Sequence, residues 1–223
     1  MISENNESVI IVAGGSGKRM GSEIPKQFLL LKGLPILMHT TSVFYDYNPR
    51  IQLIVVLPED QIGEWSSLLE KYNFRIDHEV VSGGKERFFS VLNGLGLVKS
   101  GNTVAIHDGV RPLVSKDTIT RCFELAKLKG SAVPVIDVFE SIRKVDELGN
   151  YAVNRQDFKL VQTPQVFEFQ KITSAYKQQF SSVFTDDASV VEAAGFAINL
   201  CEGNRENIKV TTPIDMTFAE ALM

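Results

Sequence analysis

Short apolar runs alternate along the chain with longer segments whose apolar residues recur at helical spacing. The apolar runs predict buried strands, because a strand that is covered on both faces needs an almost continuous hydrophobic sequence. The predicted strands are residues 9–12, 53–57, 80–81, 103–106, 132–136 and 197–201. The predicted helices are residues 36–47, 59–72, 86–98, 116–129, 168–179 and 185–194. Strands that alternate with helices indicate an α/β fold, with a mostly parallel sheet flanked by helices on both faces.

Residues 137–163 interrupt this alternation. Two pieces of alternating polarity, residues 141–145 and 151–155, flank the sequence Glu147-Leu148-Gly149-Asn150, whose composition is typical of a hairpin turn. The pattern therefore predicts a protruding β-hairpin arm. An isolated two-stranded hairpin is only marginally stable in water, so we expect the arm to rest against the same arm of a second subunit in a homodimer.

The composition is that of an ordinary globular domain. The chain has 223 residues, of which 44% are hydrophobic, and we expect a single domain over residues 1–223 with the arm as an excursion. With 23 basic and 27 acidic residues, the net charge of −4 supplies no general field for nucleic acid. An anionic ligand must therefore be bound by a local group of cations.

The sequence also predicts the cellular location of the protein. It has no apolar run that approaches membrane-spanning length, and its opening residues are acidic and polar rather than those of a signal peptide. Cys122 and Cys201 fall in separate predicted elements and are too few for a disulfide scaffold. We therefore expect free thiols, a cytoplasmic location and no membrane partner.

The most informative segment follows the first predicted strand, with the sequence A-G-G-S-G-K-R-M-G-S-E-I-P-K. Its glycines let the main chain approach a ligand closely, so that consecutive N–H groups can converge on phosphate oxygens. Its cations, Lys18, Arg19 and Lys26, can neutralise the charge of those oxygens. This combination favours binding of a polyphosphate, and the alternative is a glycine-rich turn with incidental surface cations.

Two better-known glycine motifs do not fit this segment. A Walker loop would need glycine at Val12 and a serine or threonine at Arg19. The dinucleotide-binding fingerprint would need glycine or alanine at Met20.

Glycines also follow two other predicted strands, in Ser82-Gly83-Gly84 and His107-Asp108-Gly109. Ligands of α/β sheets bind beyond the carboxyl ends of the strands, so we expect these glycine-bearing strand ends to meet in one crevice. Asp108 could hold Mg²⁺ or a sugar hydroxyl there, or it could cap a turn.

Several polar residues near these strand ends allow two interpretations each. Lys85, Arg87 and Ser90 could contact a base or a phosphate, or could form an exposed first helical turn. Lys209 lies within an extended apolar stretch, where a solvated surface lysine is the plainer interpretation. Asp186 and Asp187 suggest catalytic carboxylates, but the sequence T-D-D-A is more typical of a helix cap.

Taken together, these residues resemble a known family along nearly the whole chain. The matching motifs, in order, are A-G-G-S-G-K-R-M, P-K-Q-F, G-G-K-E-R-F-F-S-V, H-D-G-V-R-P, T-P-Q-V-F, T-D-D-A-S and N-I-K-V-T-x-P. They resemble those of the 2-C-methyl-D-erythritol 4-phosphate cytidylyltransferases of the non-mevalonate isoprenoid pathway. The resemblance implies a Rossmann-like sheet with a dimerising arm, and transfer of CMP from CTP to a sugar-alcohol phosphate with release of pyrophosphate.

The resemblance also implies a role for each matching residue. Catalysis would fall to Arg19, Lys26, Arg155 and Lys209. The nucleotide would be bound by Ala13, Gly14, Gly15, Ser16, Gly17, Gly84, Lys85, Arg87, Ser90, Asp108 and Gly109. The second substrate would be bound by Asp108, Arg111, Ser141, Arg155, Thr163 and Lys209, with Ser141 and Arg155 supplied by the partner's arm. Mg²⁺ would be the cofactor, with Asp108 as its protein ligand.

The chain departs from the usual family pattern in places that concern substrate identity. It has Ala13-Gly14-Gly15 where two alanines and one glycine are common, Gly109-Val110 where an alanine pair is common, and Ser141 where threonine is usual. The related ribitol-5-phosphate cytidylyltransferases have a glycine-richer loop, so ribitol 5-phosphate is an alternative substrate. A non-catalytic nucleotide-binding regulator is a further alternative, although such a protein would not need Arg19, Lys26 and Lys209 together.

Overall fold

The computed structural model describes residues 7–14, 24–99 and 103–223. Its strands are β1 (Glu7–Val12), β2 (Leu30–Leu31), β3 (Leu34–Pro35), β4 (Gln52–Leu57), β5 (Glu79–Ser82), β6 (Thr103–Asp108), β7 (Ser131–Asp137), β8 (Arg143–Asp146), β9 (Gly149–Ala152), β10 (Lys159–Val161), β11 (Gln165–Glu168) and β12 (Leu200–Glu202). Its α-helices are α1 (Ile36–Tyr47), α2 (Ile62–Lys71), α3 (Arg87–Leu95), α4 (Lys116–Lys129), α5 (Phe169–Ala175), α6 (Asp187–Ala193) and α7 (Pro213–Leu222). Single turns of 3₁₀ helix occupy Lys26–Phe28, Glu59–Gln61 and Arg155–Asp157.

The main sheet has the strand order β10-β7-β11-β6-β1-β4-β5, and β12 pairs with β7. Strands β1, β4, β5 and β6 run parallel, so their carboxyl ends share one edge of the sheet. Strands β10 and β11 run antiparallel to β7, and β11 separates β7 from β6. The predicted α/β fold with a mostly parallel sheet is thus confirmed, whereas β11 was not predicted.

Hydrophobic residues cover both faces of this sheet. Val9 and Ile11 of β1 pack in one core cluster with residues of α1, α2 and α4. Ile10, which lies between them, packs in a second cluster with residues of α3, α5 and α6. Successive strand residues point to opposite faces, and this explains why the central strands are continuous apolar runs.

The helices α1 and α4 have the predicted bounds. In α4, the Ser115 side chain accepts a hydrogen bond from the Thr118 N–H at one end, and Gly130 adopts φ +84° at the other. The other predicted helices are shorter in the structure: 59–72 begins as a 3₁₀ turn, and 86–98 ends at Leu95, before Gly96. The helix predicted over residues 168–179 ends at Ala175, and the helix predicted over residues 185–194 begins at Asp187. Asp186 caps α6 in a capping box, which confirms that interpretation of the T-D-D-A sequence.

Helix α7 was not predicted, although its start carries a clear sequence signal. Thr212 is the N-cap of a capping box with Asp215, and Pro213 occupies the first helical turn. Proline is favoured at this position, because its missing N–H would have no intrahelical partner there.

The predicted hairpin is present as β8 and β9, but its details differ from the prediction. All residues of both strands are exposed. Asp146 pairs with Gly149, so the turn consists of Glu147 and Leu148 alone and the strands are shifted from their predicted bounds. Ser141 precedes β8, and Arg155 lies in a 3₁₀ turn after β9, so neither residue is on a hairpin strand as predicted. Pairing of this hairpin with a second subunit stays a prediction.

The two cysteines are free, but they lie in contact although they belong to separate elements. The Sγ atoms of Cys122 on α4 and Cys201 on β12 are 3.4 Å apart. Across the described parts of the chain, no helix combines the length and apolar character that crossing a membrane requires.

Candidate functional site

A cavity of about 270 Å³ opens at the carboxyl edge of the parallel strands. The residues after β1, β5 and β6 all contribute to it, so the predicted meeting of these strand ends is confirmed. The described residues that line it are Val12, Ala13, Gly14, Lys26, Gln27, Gly84, Lys85, Glu86, Arg87, Ser90, Asp108, Val110 and Lys209. The cavity thus combines bare main chain, several cations and one central carboxylate.

Two glycines are required by close packing at the rim of the cavity. A Cβ atom at Gly109 would lie 2.8 Å from the Cβ of Ala13, and one at Gly84 would lie 2.3 Å from the Cβ of Phe89. A larger residue at Gly109 would push the ends of β6 and β1 apart, and one at Gly84 would push the chain after β5 away from α3. The Gly109 N–H donates to the Val12 carbonyl at 2.9 Å and ties the ends of β6 and β1 together.

Asp108 is the electrostatic centre of the site. Its carboxylate lies 3.0 Å from the Lys209 Nζ, 3.1 Å from the Arg111 Nε and 3.9 Å from the Arg87 Nε. Burial alone would raise the pKa of Asp108, but these cations together hold it well below its ordinary value. Asp108 is therefore ionised, and it gathers cations from separate parts of the chain at one point.

Arg87 is bound by a second carboxylate that sequence analysis assigned only to a helix end. Its Nη1 and Nη2 atoms donate to the two oxygens of Asp187 at 2.7 and 2.6 Å. Asp187 is completely buried, and its Oδ1 also accepts a hydrogen bond from the Tyr176 hydroxyl at 2.6 Å. Burial alone would lower the pKa of Arg87, but Asp187 raises it above its ordinary value.

His107 supports Asp108 from behind the cavity. The Nε2 atom lies 3.0 Å from the Arg111 carbonyl, which can only accept, so Nε2 carries the proton. The Nδ1 atom then accepts from the Thr163 hydroxyl at 3.1 Å, and that oxygen accepts the Asp108 N–H at 3.1 Å. Burial lowers the pKa of His107 to about 4, so the ring is neutral near pH 7.

Two predicted ligand-binding hydroxyls are engaged within the protein. The hydroxyl of Thr163 contacts His107 and Asp108, and that of Ser90 accepts the Gly84 N–H at 3.1 Å while donating to the Glu86 carbonyl. Both residues are buried. In this structure they hold Asp108 and Gly84 in place.

The other predicted site residues fall into three groups. Lys26, Lys85 and Lys209 line the cavity, and Arg111 reaches it through Asp108. Ser141 and Arg155 lie exposed at the base of the hairpin and do not line it; the Arg155 side chain donates to the Phe139 carbonyl. Gly15, Ser16, Gly17 and Arg19 lie outside the described residues, so their predicted roles stay predictions.

Sequence analysis missed the residues that connect the site from a distance. Asn207 is fully buried, donates from Nδ2 to the Thr163 carbonyl at 2.8 Å and accepts the Arg111 Nη1 at its own carbonyl at 2.7 Å. Asn207 begins the sequence motif N-I-K-V-T, within which only Lys209 was a predicted site residue. The partnership of Asp187 with Arg87 has no local signal, because 100 positions separate the two residues.

The donor set limits how a metal ion could be held. Within the ranges that the structure describes, no group of three or more His, Cys, Asp or Glu side chains could bind one. Among the described residues that line the cavity, Asp108 and Glu86 carry carboxylates. Since cations already surround Asp108, the described residues fit a metal ion only if most of its ligands come from a bound substrate.

The chain matches one protein family over nearly its whole length. Residues 8–223 match the family model described as IspD, 2-C-methyl-D-erythritol 4-phosphate cytidylyltransferase. A protein of this name from Bacteroides thetaiotaomicron is 52% identical over 217 residues, which cover 97% of this chain and 99% of that protein. One from Porphyromonas gingivalis is 50% identical over 222 residues, which cover 99% of each chain.

Two solved structures are similar to this chain in fold. The 2-C-methyl-D-erythritol 4-phosphate cytidylyltransferase of Thermus thermophilus superposes with a TM-score of 0.79 at 32% identity, covering 96% of this chain and 97% of that one. The 4-diphosphocytidyl-2C-methyl-D-erythritol synthase of Anaerococcus prevotii superposes with a TM-score of 0.82 at 26% identity, covering 97% and 95%.

The buried neutral His107 makes the stability of the protein depend on pH. The unfolded histidine has a pKa of about 6.5, so below that pH the unfolded chain binds a proton that the folded chain excludes. The stabilisation is therefore complete above about pH 6.5 and is lost as the pH falls toward the folded pKa of about 4. We expect the free energy of unfolding to fall by about 2 kcal/mol between about pH 7.5 and about pH 5.

Urea denaturation at the two pH values measures this change. The variant His107→Asn, which has no titrating group at this position, is the comparison. It should be less stable than the unaltered protein at neutral pH. Between the two pH values, however, its free energy of unfolding should fall by about 2 kcal/mol less than that of the unaltered protein. An equal pH dependence in both proteins would contradict the assignment to His107.

Proposed function

The chain belongs to the 2-C-methyl-D-erythritol 4-phosphate cytidylyltransferase family, and on that premise we propose that its carboxyl-edge cavity transfers CMP from CTP to 2-C-methyl-D-erythritol 4-phosphate. The products are 4-diphosphocytidyl-2-C-methyl-D-erythritol and pyrophosphate. The observation that carries this proposal is the cavity itself, in which Lys26, Lys209 and Asp108 meet at glycine-bearing strand ends. A non-catalytic binding protein would not need this grouping of charges.

The family match also bears on the alternative substrate. The relatives described above are all named for 2-C-methyl-D-erythritol 4-phosphate, and ribitol 5-phosphate is not favoured. The glycine-rich start of the loop, at Gly14 and Gly15, therefore does not change the proposed substrate.

The reaction needs alignment and charge stabilisation more than proton transfer. The phosphate of the second substrate attacks the α-phosphorus of CTP, and it is already ionised near neutral pH because its second pKa is about 6. No general base is then required at this step. Negative charge builds on the α-phosphate oxygens, and we assign its stabilisation to Lys26 and to Arg19.

The remaining cations serve the second substrate in this proposal. Lys209 lines the cavity beside Asp108, and Arg111 contacts the same carboxylate, so one carboxylate and two cations are grouped at this point. Such a set suits a ligand that carries both hydroxyls and a phosphate, because the carboxylate accepts from hydroxyls while the cations attract phosphate. We also assign Asp108 to the ribose of the nucleotide.

We assign Mg²⁺ to this site as a cofactor held mainly by triphosphate oxygens, with Asp108 as its one protein ligand. Mg²⁺ commonly shares its ligands between substrate phosphates, water and one or two carboxylates, which matches the donors available here. When bound, the ion neutralises phosphate charge. Lys26, Lys85 and Lys209, which line the cavity, supply further positive charge from the protein.

We propose that Ser141 and Arg155 act on the site of a partner subunit in a homodimer. Both residues lie outside the cavity of their own chain. The hairpin and its base also carry exposed apolar side chains, including Val145 at 75%, Leu148 at 100% and Phe158 at 47% of full exposure. An apolar surface of this kind is suited to burial against a second subunit.

We place the reaction in the cytoplasm. Two cysteine sulfur atoms 3.4 Å apart would be prone to form a disulfide in an oxidising compartment, and a reducing one keeps them as thiols.

The substrate assignment is tested by supplying purified protein with CTP, Mg²⁺ and one polyol phosphate at a time. We expect pyrophosphate release with 2-C-methyl-D-erythritol 4-phosphate and a much lower kcat/KM with ribitol 5-phosphate. Release that is faster with ribitol 5-phosphate would transfer the assignment to that substrate. CTP binding without release in either assay would favour the regulatory alternative.

Replacement of Lys26 should mainly affect the chemical step. We expect Lys26→Ala to lower kcat by on the order of 10² to 10³, the usual cost of removing one preorganised charge-stabilising group. Lys129→Ala, which removes an exposed lysine at the far end of α4, is the control and should leave kcat unchanged. A Lys26→Ala protein with normal kcat and only weaker CTP binding would show that the assigned role is wrong.

Sharing of the site between subunits can be tested by mixing inactive variants. Lys26→Ala and Arg155→Ala, each inactive alone, should regain activity when they are unfolded and refolded together. In a mixed dimer, one of the two sites would combine Lys26 of one chain with Arg155 of the other. If mass analysis shows subunit exchange and no activity returns, Arg155 does not serve the neighbouring site.

A further inference from the structure

The carboxylate of Asp187 is close to the cavity but does not line it. It is completely buried at the start of α6, where Asp186, the preceding residue, forms the helix cap. Gln165 of β11 fixes this end of the helix, since its Nε2 donates to Asp186 and its Oε1 accepts the Ala188 N–H, both at 2.8 Å. Asp187 is therefore held rigidly against the sheet.

Asp187 binds Arg87 through both of its carboxylate oxygens. They accept hydrogen bonds from the two terminal nitrogens of the guanidinium, and the Tyr176 hydroxyl donates to the same carboxylate. The Tyr176 ring also stacks on Phe88, the residue after Arg87, with ring centroids 4.6 Å apart. These contacts fix both the side chain of Arg87 and the helical turn that carries it.

In this arrangement the Nε atom of Arg87 lies 3.9 Å from the Oδ1 atom of Asp108. A guanidinium that met Asp108 through a pair of nitrogens would occupy both carboxylate oxygens. Asp187 opposes this, because its contacts with Nη1 and Nη2 fix the guanidinium where Nε lies 3.9 Å from Asp108, beyond hydrogen-bonding distance. Asp108 thus keeps capacity to accept hydrogen bonds from a ligand hydroxyl.

A contribution to stability is a weak explanation for the buried ion pair of Arg87 and Asp187. A buried ion pair contributes little net stability compared with apolar residues of the same volume, because both charges lose hydration. A pair of this geometry next to the cavity is better explained by what it does to Arg87 and Asp108.

We propose that Asp187 is a positioning residue, which holds the Arg87 guanidinium away from Asp108 and so keeps the Asp108 carboxylate available to a substrate hydroxyl. The inference rests on the proposed function, in which Asp108 binds the polyol phosphate. The predicted nucleotide-binding role of Arg87, which lines the cavity, stays a prediction beside this inference.

The test compares two neighbouring acids that differ in their contacts. Asp187→Asn keeps the side-chain shape but loses the charge that holds Arg87. We expect it to raise the KM for the polyol phosphate by about tenfold or more, with kcat at saturation within about threefold of the unaltered value. Asp186→Asn removes the same charge one position earlier; it should lower Tm but change KM by less than about twofold.

A double variant separates positioning from folding. Arg87→Gln combined with Asp187→Asn replaces the ion pair with two amides and leaves no unpaired buried charge. We expect its Tm to exceed that of Arg87→Gln alone. Its KM for the polyol phosphate should be lower than that of Asp187→Asn, because no guanidinium is left to approach Asp108. If folded Asp187→Asn protein has an unchanged KM, or if Asp186→Asn raises the KM equally, the inference is overturned.

A spectroscopic measurement makes the test independent of turnover. The guanidinium protons of Arg87 should exchange slowly in ¹⁵N NMR spectra of the unaltered and Asp186→Asn proteins, and rapidly in Asp187→Asn. Slow exchange that persists in Asp187→Asn would show that Asp187 does not hold Arg87. If the unaltered protein released no pyrophosphate, the proposed function would fail, whereas the NMR result would still decide whether Asp187 positions Arg87.

Discussion

The attraction between Asp108 and the cations around it organises the whole carboxyl edge of the sheet. Lys209, Arg111 and Arg87 come from three different segments, and each has a contact with this one carboxylate. The backbone of Asp108 is held in turn by Thr163 and, through it, by His107. A neutral residue at position 108 would leave three cations in mutual repulsion with no shared partner, so the geometry of the cavity depends on this charge.

The second carboxylate, Asp187, gives the two sides of the cavity different properties. Arg87 is largely neutralised by its partner, whereas Lys209 and Arg111 share the carboxylate of Asp108. Of the three cations around Asp108, Lys209 and Arg111 thus keep more positive charge that can attract phosphate than Arg87 does. Since opposite charges placed in a partly enclosed cavity interact more strongly than in water, this asymmetry can orient a ligand before any reaction begins.

Much of the fold could be predicted because its signals are local. The apolar runs of β1, β4 and β6 and the caps of α4 are contained in a few neighbouring residues. The strand β11 was missed because its four residues carry no periodic signal of their own and are defined by pairing with β6 and β7. The position of the cavity could be predicted because ligands of α/β sheets bind beyond the carboxyl ends of the strands. The hydrogen bonds of Thr163 and Asn207 could not, because their partners are distant in sequence.

The docking of Lys209 has a consequence for how the protein matures. The Val210 N–H donates to the Val110 carbonyl at 2.9 Å, and Lys209 reaches Asp108 from almost the far end of the chain. During synthesis, the strands β1, β4, β5 and β6 emerge from the ribosome long before this segment does. Contacts between residues so far apart in sequence form slowly, because a large loop must close first. A nascent chain with its central sheet already in place therefore still lacks the Lys209 side of its cavity.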